Sequence, residues 1–414
     1  MIQNEILRAI PQMPDGTFAI ADGEGAFQLI KENSSADEWR AYCRKLASHG
    51  FAEVYHRAVC GNLFAAYRHD GCGVSVNYTP FNSTFRAVVE PVGNMSDRAS
   101  DYTGGKVCSP LLTQIGRTFT KTGMFRGAPV NCGLMCYVIR LEDGRFIVID
   151  GGVAIDAFAD GIMNVLKKQA PDPDNIVIAA WIISHTHNDH TGGFLKFTEK
   201  YFDCPCVRID ELICNFPGER DCIDWFEVNE YALRQRTMAN FRSFNRGGKI
   251  TKAHTGEVRY IGGAEIEFLL AQEDFRTSFR QWSDTRDWNN TSLIFRVNID
   301  GYRMMFLTDA CIIESDILTS MYGSHLKSDF CQAAHHGGKG GTVGVYTAID
   351  PAVVTYTTSD EALQVYLGDE HNAHLAYRLH VEEILNAANR ITEFDVPYTP
   401  GTSRIIDNED DIRL

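Results

Sequence analysis

The chain predicts an α/β fold of two unequal parts, and three features carry that reading. Strand and helix signals alternate from about residue 112 onward, short strand signals surround a single helix in residues 1–100, and a histidine-rich turn closes the most apolar strand of the longer part. A length of 414 residues, 44% hydrophobic and 22% charged, is that of a globular protein of roughly two domains.

The start, Met1-Ile2-Gln3-Asn4-Glu5, lacks the basic and apolar regions of a signal peptide. Residues 34–49 predict a helix capped by Ser34 or Ser35, with Trp39, Cys43, Leu46 and Ala47 at helical spacing and Gly50 as its stop. Four short strands follow, at Phe51–Tyr55, Leu63–Tyr67, Val74–Tyr78 and Thr84–Val89, separated by turns containing Gly and Asn. They predict an antiparallel meander with the helix packed on it, a small α+β domain over residues 1–100. The polar, turn-rich stretch Val92–Ser100 reads as a linker. His49, His56 and His69 fall singly in this domain, so it shows no catalytic signature and fits a substrate-shaping or dimerisation role.

In the second part, over residues 112–414, Tyr137–Ile149 reads as a hairpin turning at Asp143-Gly144. A helix over Ala154–Ala170 ends at Pro171-Asp172-Pro173. Ile176–Ile183 is an unbroken apolar run, as a buried strand requires, and Thr191-Gly192-Gly193 opens a helix at Phe194. A further helix spans about Asp224 to Phe244 and stops at Gly247-Gly248, Val258–Ile261 is a strand, and another helix covers about Leu375–Ala388. Strands at Phe394–Tyr398 and Ser403–Ile406 close the sheet.

Between the buried strand and its helix stands His185-Thr186-His187-Asn188-Asp189-His190, three histidines and an aspartate within six positions. A tight turn at a strand end lets these side chains converge, and neutral imidazole with carboxylate is the ligand set of zinc, iron or manganese. A polar loop that gathers histidines by chance would lack the strand before and the helix after, so this is read as a metal site.

The His-x-His-x-Asp-His run resembles the central motif of the metallo-β-lactamase superfamily, and other positions agree. Arg145–Gly152 resembles the family's strand ending in Asp-Gly, here Asp150-Gly151, whose aspartate supports the metal histidines. Arg303–Asp309 resembles the strand ending in the aspartate that bridges two metals, and Phe330–Gly338 the last histidine motif. The resemblance spans roughly residues 112 to 405 and implies an αββα sandwich, two sheets face to face with helices outside and the metals at one edge. Asn289-Asn290-Thr291-Ser292-Leu293, His335-His336-Gly337 and Asn372-Ala373-His374 resemble one branch, which includes DNA-uptake competence hydrolase domains and phosphorylcholine esterases. That branch implies phosphodiester chemistry, by analogy only.

The resemblance also implies roles. His185 and His187 would bind one divalent cation, Asp189 and His190 a second, with Asp309 bridging and His335 or His336 completing the second shell. Zinc is the expected metal, with manganese or iron as alternatives. Two such cations deprotonate a bridging water near neutral pH and stabilise charge on the attacked group. His335 is the favoured ligand, leaving His336 to meet the substrate or protonate the leaving group, so that Asp189 and His336 are the candidate catalytic residues; a hydrogen-bonding support role for His336 is the alternative. Asn372 and His374 fall where the branch faces its substrate, whereas His371 and His380 read as surface or packing residues. Gly337-Gly338-Lys339-Gly340-Gly341 lacks the order of a nucleotide-binding loop and reads as an edge of the site.

Two positions depart from the family pattern. Thr308-Asp309 stands where Gly-Asp is usual, and the middle histidine of the first metal has no clear counterpart. The one histidine between 190 and 325 is His254, read as an exposed loop residue ahead of the ligand reading.

Composition narrows the partners. The net charge of -15 disfavours a long nucleic acid, which needs clustered Lys and Arg. Arg234, Arg236, Arg242, Arg246, Lys249 and Lys252 read as the solvated face of a helix, with a local phosphate-binding edge as the alternative. No apolar run approaches the ~20 residues of a membrane span. The twelve cysteines, Cys204-Pro205-Cys206 included, read as reduced thiols of a cytoplasmic protein.

The expectation is a binuclear hydrolase of a small phosphodiester or phosphorylated headgroup. Alternatives are a hydrolase of an acyl bond (lactone, thioester or lactam), a di-iron redox protein, and a degenerate metal-binding protein. His187 stands where the di-iron branch has Glu, and the complete six-residue run argues against degeneracy.

Overall fold

The computed structural model describes residues 2–96, 101, 105–116, 123–125, 128–130, 134–224, 228–244, 246–274, 287–338, 340–358, 381–386 and 390–406. The first 96 residues hold an antiparallel sheet of six strands: β1 (Phe18–Ala21), β2 (Phe27–Lys31), β3 (Ala52–Val59), β4 (Asn62–His69), β5 (Cys72–Thr79) and β6 (Thr84–Pro91), ordered β1-β2-β6-β5-β4-β3. The last four are the expected meander. The first two are additional, as is the helix α1 (Ile2–Ala9), because Phe18–Ala21 is very short and Phe27–Lys31 shows no clean alternation.

Helix α2 (Ala36–Ser48) begins where sequence places it, with Ser35 as the cap: its hydroxyl accepts from the Glu38 N–H while the Glu38 carboxylate accepts from the Ser35 N–H. Trp39, Tyr42, Cys43 and Leu46 are its buried stripe; Ala47, expected among them, is exposed. The stripe packs on Leu63, Ala65, Tyr67, Val74, Val76, Phe85, Ala87 and Val89, one face of the sheet. Alternate residues point the other way. Among them Phe64, Arg86 and Glu90 are buried, and the next layer of the protein covers them.

That layer belongs to a sandwich of two sheets. The eight-stranded sheet contains β7 (Leu111–Ile115), β10 (Tyr137–Arg140), β11 (Phe146–Ile149), β12 (Ile176–Ile182), β13 (Val207–Cys214), β14 (Gly247–Lys252), β22 (Ile391–Asp395) and β23 (Arg404–Ile406), in the order β14-β13-β12-β11-β10-β7-β22-β23. A small hairpin, β8 (Gly123–Phe125) with β9 (Ala128–Val130), stands apart. The seven-stranded sheet runs in chain order through β15 (Val258–Ile261), β16 (Ala264–Leu270), β17 (Ile294–Ile299), β18 (Tyr302–Phe306), β19 (Phe330–Gln332), β20 (Val353–Tyr356) and β21 (Glu383–Asn386). Ile147, Ile149, Ile182, Phe268, Phe295, Phe306 and their neighbours fill the space between the sheets. Helices α3 (Asp156–Gln169), α4 (Asn188–Lys200) and α6 (Val228–Ser243) cover the outer face of the first sheet, and α7 (Ile312–Tyr322) and α8 (Val343–Ile349) that of the second. The result is an αββα sandwich. β12 is buried along its whole length because it pairs in parallel with both β11 and β13, which explains its unbroken apolar sequence.

Several expectations need correction. The helix expected over about 224–244 is present as α6, beginning at Val228, and a short α5 (Glu219–Asp224) that was not expected precedes it. The helix expected over Leu375–Ala388 is contradicted at its end, where Glu383–Asn386 is a strand paired in parallel with β20; residues 359–380, with Asn372 and His374, lie outside the described residues. Gly192 and Gly193 do not open the helix at Phe194 but lie inside α4. A Cβ on Gly193 would stand 1.7 Å from the Gly151 carbonyl oxygen and one on Gly192 2.3 Å from the Ala154 nitrogen, so close backbone approach, not a helix start, requires them. Cys204 and Cys206, expected as thiols, are disulfide-bonded. No helix among the described residues is long and apolar enough to cross a membrane.

The N-terminal sheet is joined to the sandwich through buried charge. Arg86 donates to the Glu273 carbonyl at 2.7 Å and pairs with Asp274. Lys252 reaches Asp22 at 3.2 Å and Arg234 reaches Glu24 at 2.5 Å. Arg234 and Lys252, expected on a solvated helix face, are therefore buried residues on the sandwich side of this joint. His254 is likewise not an exposed loop residue. Its Nδ1 lies 2.7 Å from Glu273 and its Nε2 2.7 Å from Glu90, so both ring nitrogens are engaged inside the joint.

Candidate metal centre

The strand ends on one edge of the sandwich bring the histidine run to Asp150, Asp309 and the His335-His336 turn. His185 follows β12 directly and is fully buried; His190 lies in the first turn of α4, also fully buried. Asp150, just after β11, holds His190 directly and His185 through the Ser184 hydroxyl, which lies 3.0 Å from His185 Nδ1. Its Oδ1 accepts from the Ser184 N–H at 2.7 Å, and its Oδ2 lies 2.8 Å from the Ser184 hydroxyl and 2.7 Å from His190 Nδ1. With Nδ1 committed to Asp150, His190 presents Nε2 to the cluster. Trp288 fixes the intervening Thr186 from outside, its indole N–H donating to the Thr186 hydroxyl at 2.8 Å.

Two groups of potential ligands result. His185, His187 and Asp309 form one and Asp189, His190 and His336 the other, the donor atoms of each lying within 4.8 Å of one another. Asp309 stands between them. Its Oδ1 is 3.2 Å from His190 Nε2 and 3.4 Å from His336 Nε2, and its Oδ2 is 3.8 Å from His185 Nε2. The expected choice of His335 over His336 is reversed in position: His336 Nε2 lies 3.1 Å from Asp189 Oδ2, whereas His335 sits at the rim with its Nε2 3.9 Å from Asp309 Oδ2 and 3.3 Å from the Asn289 amide nitrogen. Both histidines are in left-handed backbone, at φ 50° and 58°, so consecutive rings diverge. His254 is absent from either group.

The electrostatics of the cluster favour positive charge at its centre. Burial, then the neighbouring His190 and His187, push the His185 imidazole well below its ordinary range. Burial also opposes charge on His190, yet Asp309 and Asp150 hold its pKa well above the ordinary value. His336, under the same burial, is pushed up to about 9 by Asp309 and Asp189. Burial would raise the Asp309 carboxyl, but His190, His336 and His335 keep it well below the usual carboxylate range.

The donor set also fits divalent cations on its own chemistry. His190 Nε2, His336 Nε2 and Asp309 Oδ1 are buried and, though close to one another, are not aligned for hydrogen bonding, an arrangement that is costly unless something else engages them. Imidazoles and carboxylates in two adjoining sets of three suit zinc, manganese or iron. Where carboxylates draw protons to His190 and His336, a cation competes for the same sites.

Comparison with known proteins agrees with the geometry. Residues 131–317 match the family model for the metallo-β-lactamase superfamily. That segment is a metallo-β-lactamase superfamily domain. It contains His185, His187, Asp189, His190 and Asp309, while His336 lies beyond the matched residues. No protein of curated function matches the chain. Similar solved structures include the metallo-β-lactamase fold protein YhfI of Bacillus subtilis, 11% identical with a TM-score of 0.40, covering 68% of this chain and 97% of that one. Zn2+-bound PqqB of Methylobacterium extorquens is 9% identical, TM-score 0.40, covering 67% and 98%. Yeast PDE1 is 10% identical, TM-score 0.37, covering 67% and 97%.

Within the metallo-β-lactamase domain and its continuation, three residues near the centre were assigned no role from sequence. Gln332 sits inside the last histidine motif, Ser184 immediately before the histidine run and Trp288 immediately before Asn289-Asn290. Their function depends on contacts across the fold, and spacing in the chain carries no signal of those.

Proposed function

We propose that the chain is a binuclear metal-dependent hydrolase, with His185, His187 and Asp309 holding one divalent cation and Asp189, His190 and His336 the other. The observation that carries this reading is Asp309, whose two oxygens face the two ligand groups from between them. One carboxylate so placed offsets the repulsion of two neighbouring cations. Bound cations of this kind supply a nucleophilic oxygen at neutral pH and electrophilic pull on the attacked group.

The protein's own residues do the remaining work. Ser184 and Asp150 fix the His190 ring so that Nε2 faces inward. Thr357, whose hydroxyl lies 2.8 Å from His336 Nδ1, does the same for His336. Asn289 holds its amide nitrogen beside His335 at the rim, the kind of neutral donor that receives a phosphoryl oxygen without adding charge. Together with the Asn289–Leu293 and His335–Gly337 resemblances, it favours a small phosphodiester or phosphorylated headgroup as substrate, with zinc as the metal. Asn372 and His374 are proposed to contact that substrate.

The test combines elemental mass spectrometry on protein purified without chelator with turnover of a chromogenic phosphodiester and of a lactone, a thioester and a lactam. About two ions per chain with phosphodiester turnover is expected. Turnover of the acyl compounds alone would overturn the substrate assignment, and absence of metal after reconstitution would overturn the hydrolase reading.

A further inference from the structure

Thr308 precedes Asp309 and lies in left-handed backbone at φ 51°, a conformation that a β-branched residue rarely adopts. It is fully buried, and both of its backbone polar groups are met by one side chain. Gln332 Oε1 accepts the Thr308 N–H at 2.6 Å, and Gln332 Nε2 donates to the Thr308 carbonyl at 3.1 Å. The same amide nitrogen donates to the Ala333 carbonyl at 2.5 Å, which leaves no part of the Gln332 amide unused.

The location explains the contact. Strand β18 pairs with β19 up to Phe306 opposite Gln332, and there the chain leaves the sheet. At the departure the Gln332 amide takes the place of the strand backbone that would otherwise pair with Thr308. The Thr308 carbonyl also accepts the His335 N–H at 2.8 Å. One residue therefore ties the turn that presents Asp309 to the turn that presents His336.

We propose that Gln332 is the positioning residue for Asp309, its amide holding Thr308 left-handed so that the carboxylate projects between the two ligand groups. The inference rests on the proposed reading of those groups as cation sites. It makes a requirement that a merely space-filling glutamine does not. Glycine adopts positive φ without help, so with glycine at 308 the clamp becomes dispensable.

The experiment compares full-length wild type, Gln332→Met, Thr308→Gly and the double variant, reading zinc affinity by competition with a chromogenic chelator and stability by thermal melting. Gln332→Met is expected to weaken zinc binding by roughly 10- to 100-fold, Thr308→Gly to bind near wild type, and the double variant to recover most of the loss. Wild-type affinity in Gln332→Met, or a double variant as weak as Gln332→Met, overturns the proposal. If wild type itself binds no zinc, the cation-site reading fails separately, and the melts decide: a Thr308→Gly that offsets the Gln332→Met destabilisation supports the clamp, and strictly additive effects overturn it.

Discussion

His336 Nε2 lies 3.1 Å from Asp189 Oδ2, while the ring of its neighbour His335 stays at the rim beside Asn289. Adjacent in sequence and alike in chemistry, the two histidines occupy different places because successive left-handed residues turn their side chains apart. His336→Ala is expected to lower the metal content from about two ions toward one, and His335→Ala to leave it unchanged while raising KM. Elemental mass spectrometry on both variants checks this, and equal metal loss in the two would refute the assignment.

Asp189 has one main partner in the cluster, His336, and its side chain is only partly exposed, so it anchors the second ligand group from the first turn of α4. Asp189→Asn keeps the shape and removes the charge. The expected outcome is loss of turnover with an unchanged thermal midpoint, and chelation of the wild-type protein should mimic it. Near-normal turnover in Asp189→Asn would sink the two-cation account.

Much of this centre was legible in the chain because its donors are local: six consecutive positions after one apolar strand, and two further strands ending in Asp150 and Asp309. What could not be read depends on backbone angles and on packing between distant segments. His335 and His336 are separated by φ values, not by composition. His254 looked like a loop residue because Glu90 is 164 positions away, and Lys252 looked solvated because Asp22 is 230 away. The meander in the first 96 residues was visible through its short strands and the Gly- and Asn-containing turns between them, but those signals say nothing of what covers each face, and the burial of Arg86 and Glu90 depends on the sandwich laid against them.

That buried face yields a stability prediction. Arg86 and Asp274 are 2% and 6% exposed, and Arg86 also holds the Glu273 carbonyl. Arg86→Met keeps the volume of the side chain but takes the cation from the buried Asp274 carboxylate, leaving it neutral donors such as the Thr255 hydroxyl and the Ala271 N–H, which is expected to cost about 3–5 kcal/mol. Pairing it with Asp274→Leu removes the orphan charge and should recover much of that loss. Denaturant unfolding of the two singles and the double measures the coupling; a loss below about 1 kcal/mol in Arg86→Met would mean that the joint is open to water.

His254 makes the same joint sensitive to pH. Burial opposes its charge, but Glu273 and Glu90, one against each ring nitrogen, hold the pKa up to about 9, against an ordinary value of 6.5. Glu257 caps the His254 N–H, and Lys252 and Arg86 add positive charge around the same carboxylates. A folded pKa above the unfolded one means that the stabilisation is complete below about pH 6.5 and disappears as pH rises through about 9. The shift corresponds to on the order of 3 kcal/mol. His254→Gln can still donate to a carboxylate through its amide nitrogen but cannot titrate. Urea unfolding of wild type and His254→Gln at several pH values should therefore show a wild-type advantage that is full below about pH 6.5 and shrinks as pH rises toward about 9. A difference independent of pH would show that His254 stays neutral between the two glutamates, and that the joint is held by hydrogen bonds without charge.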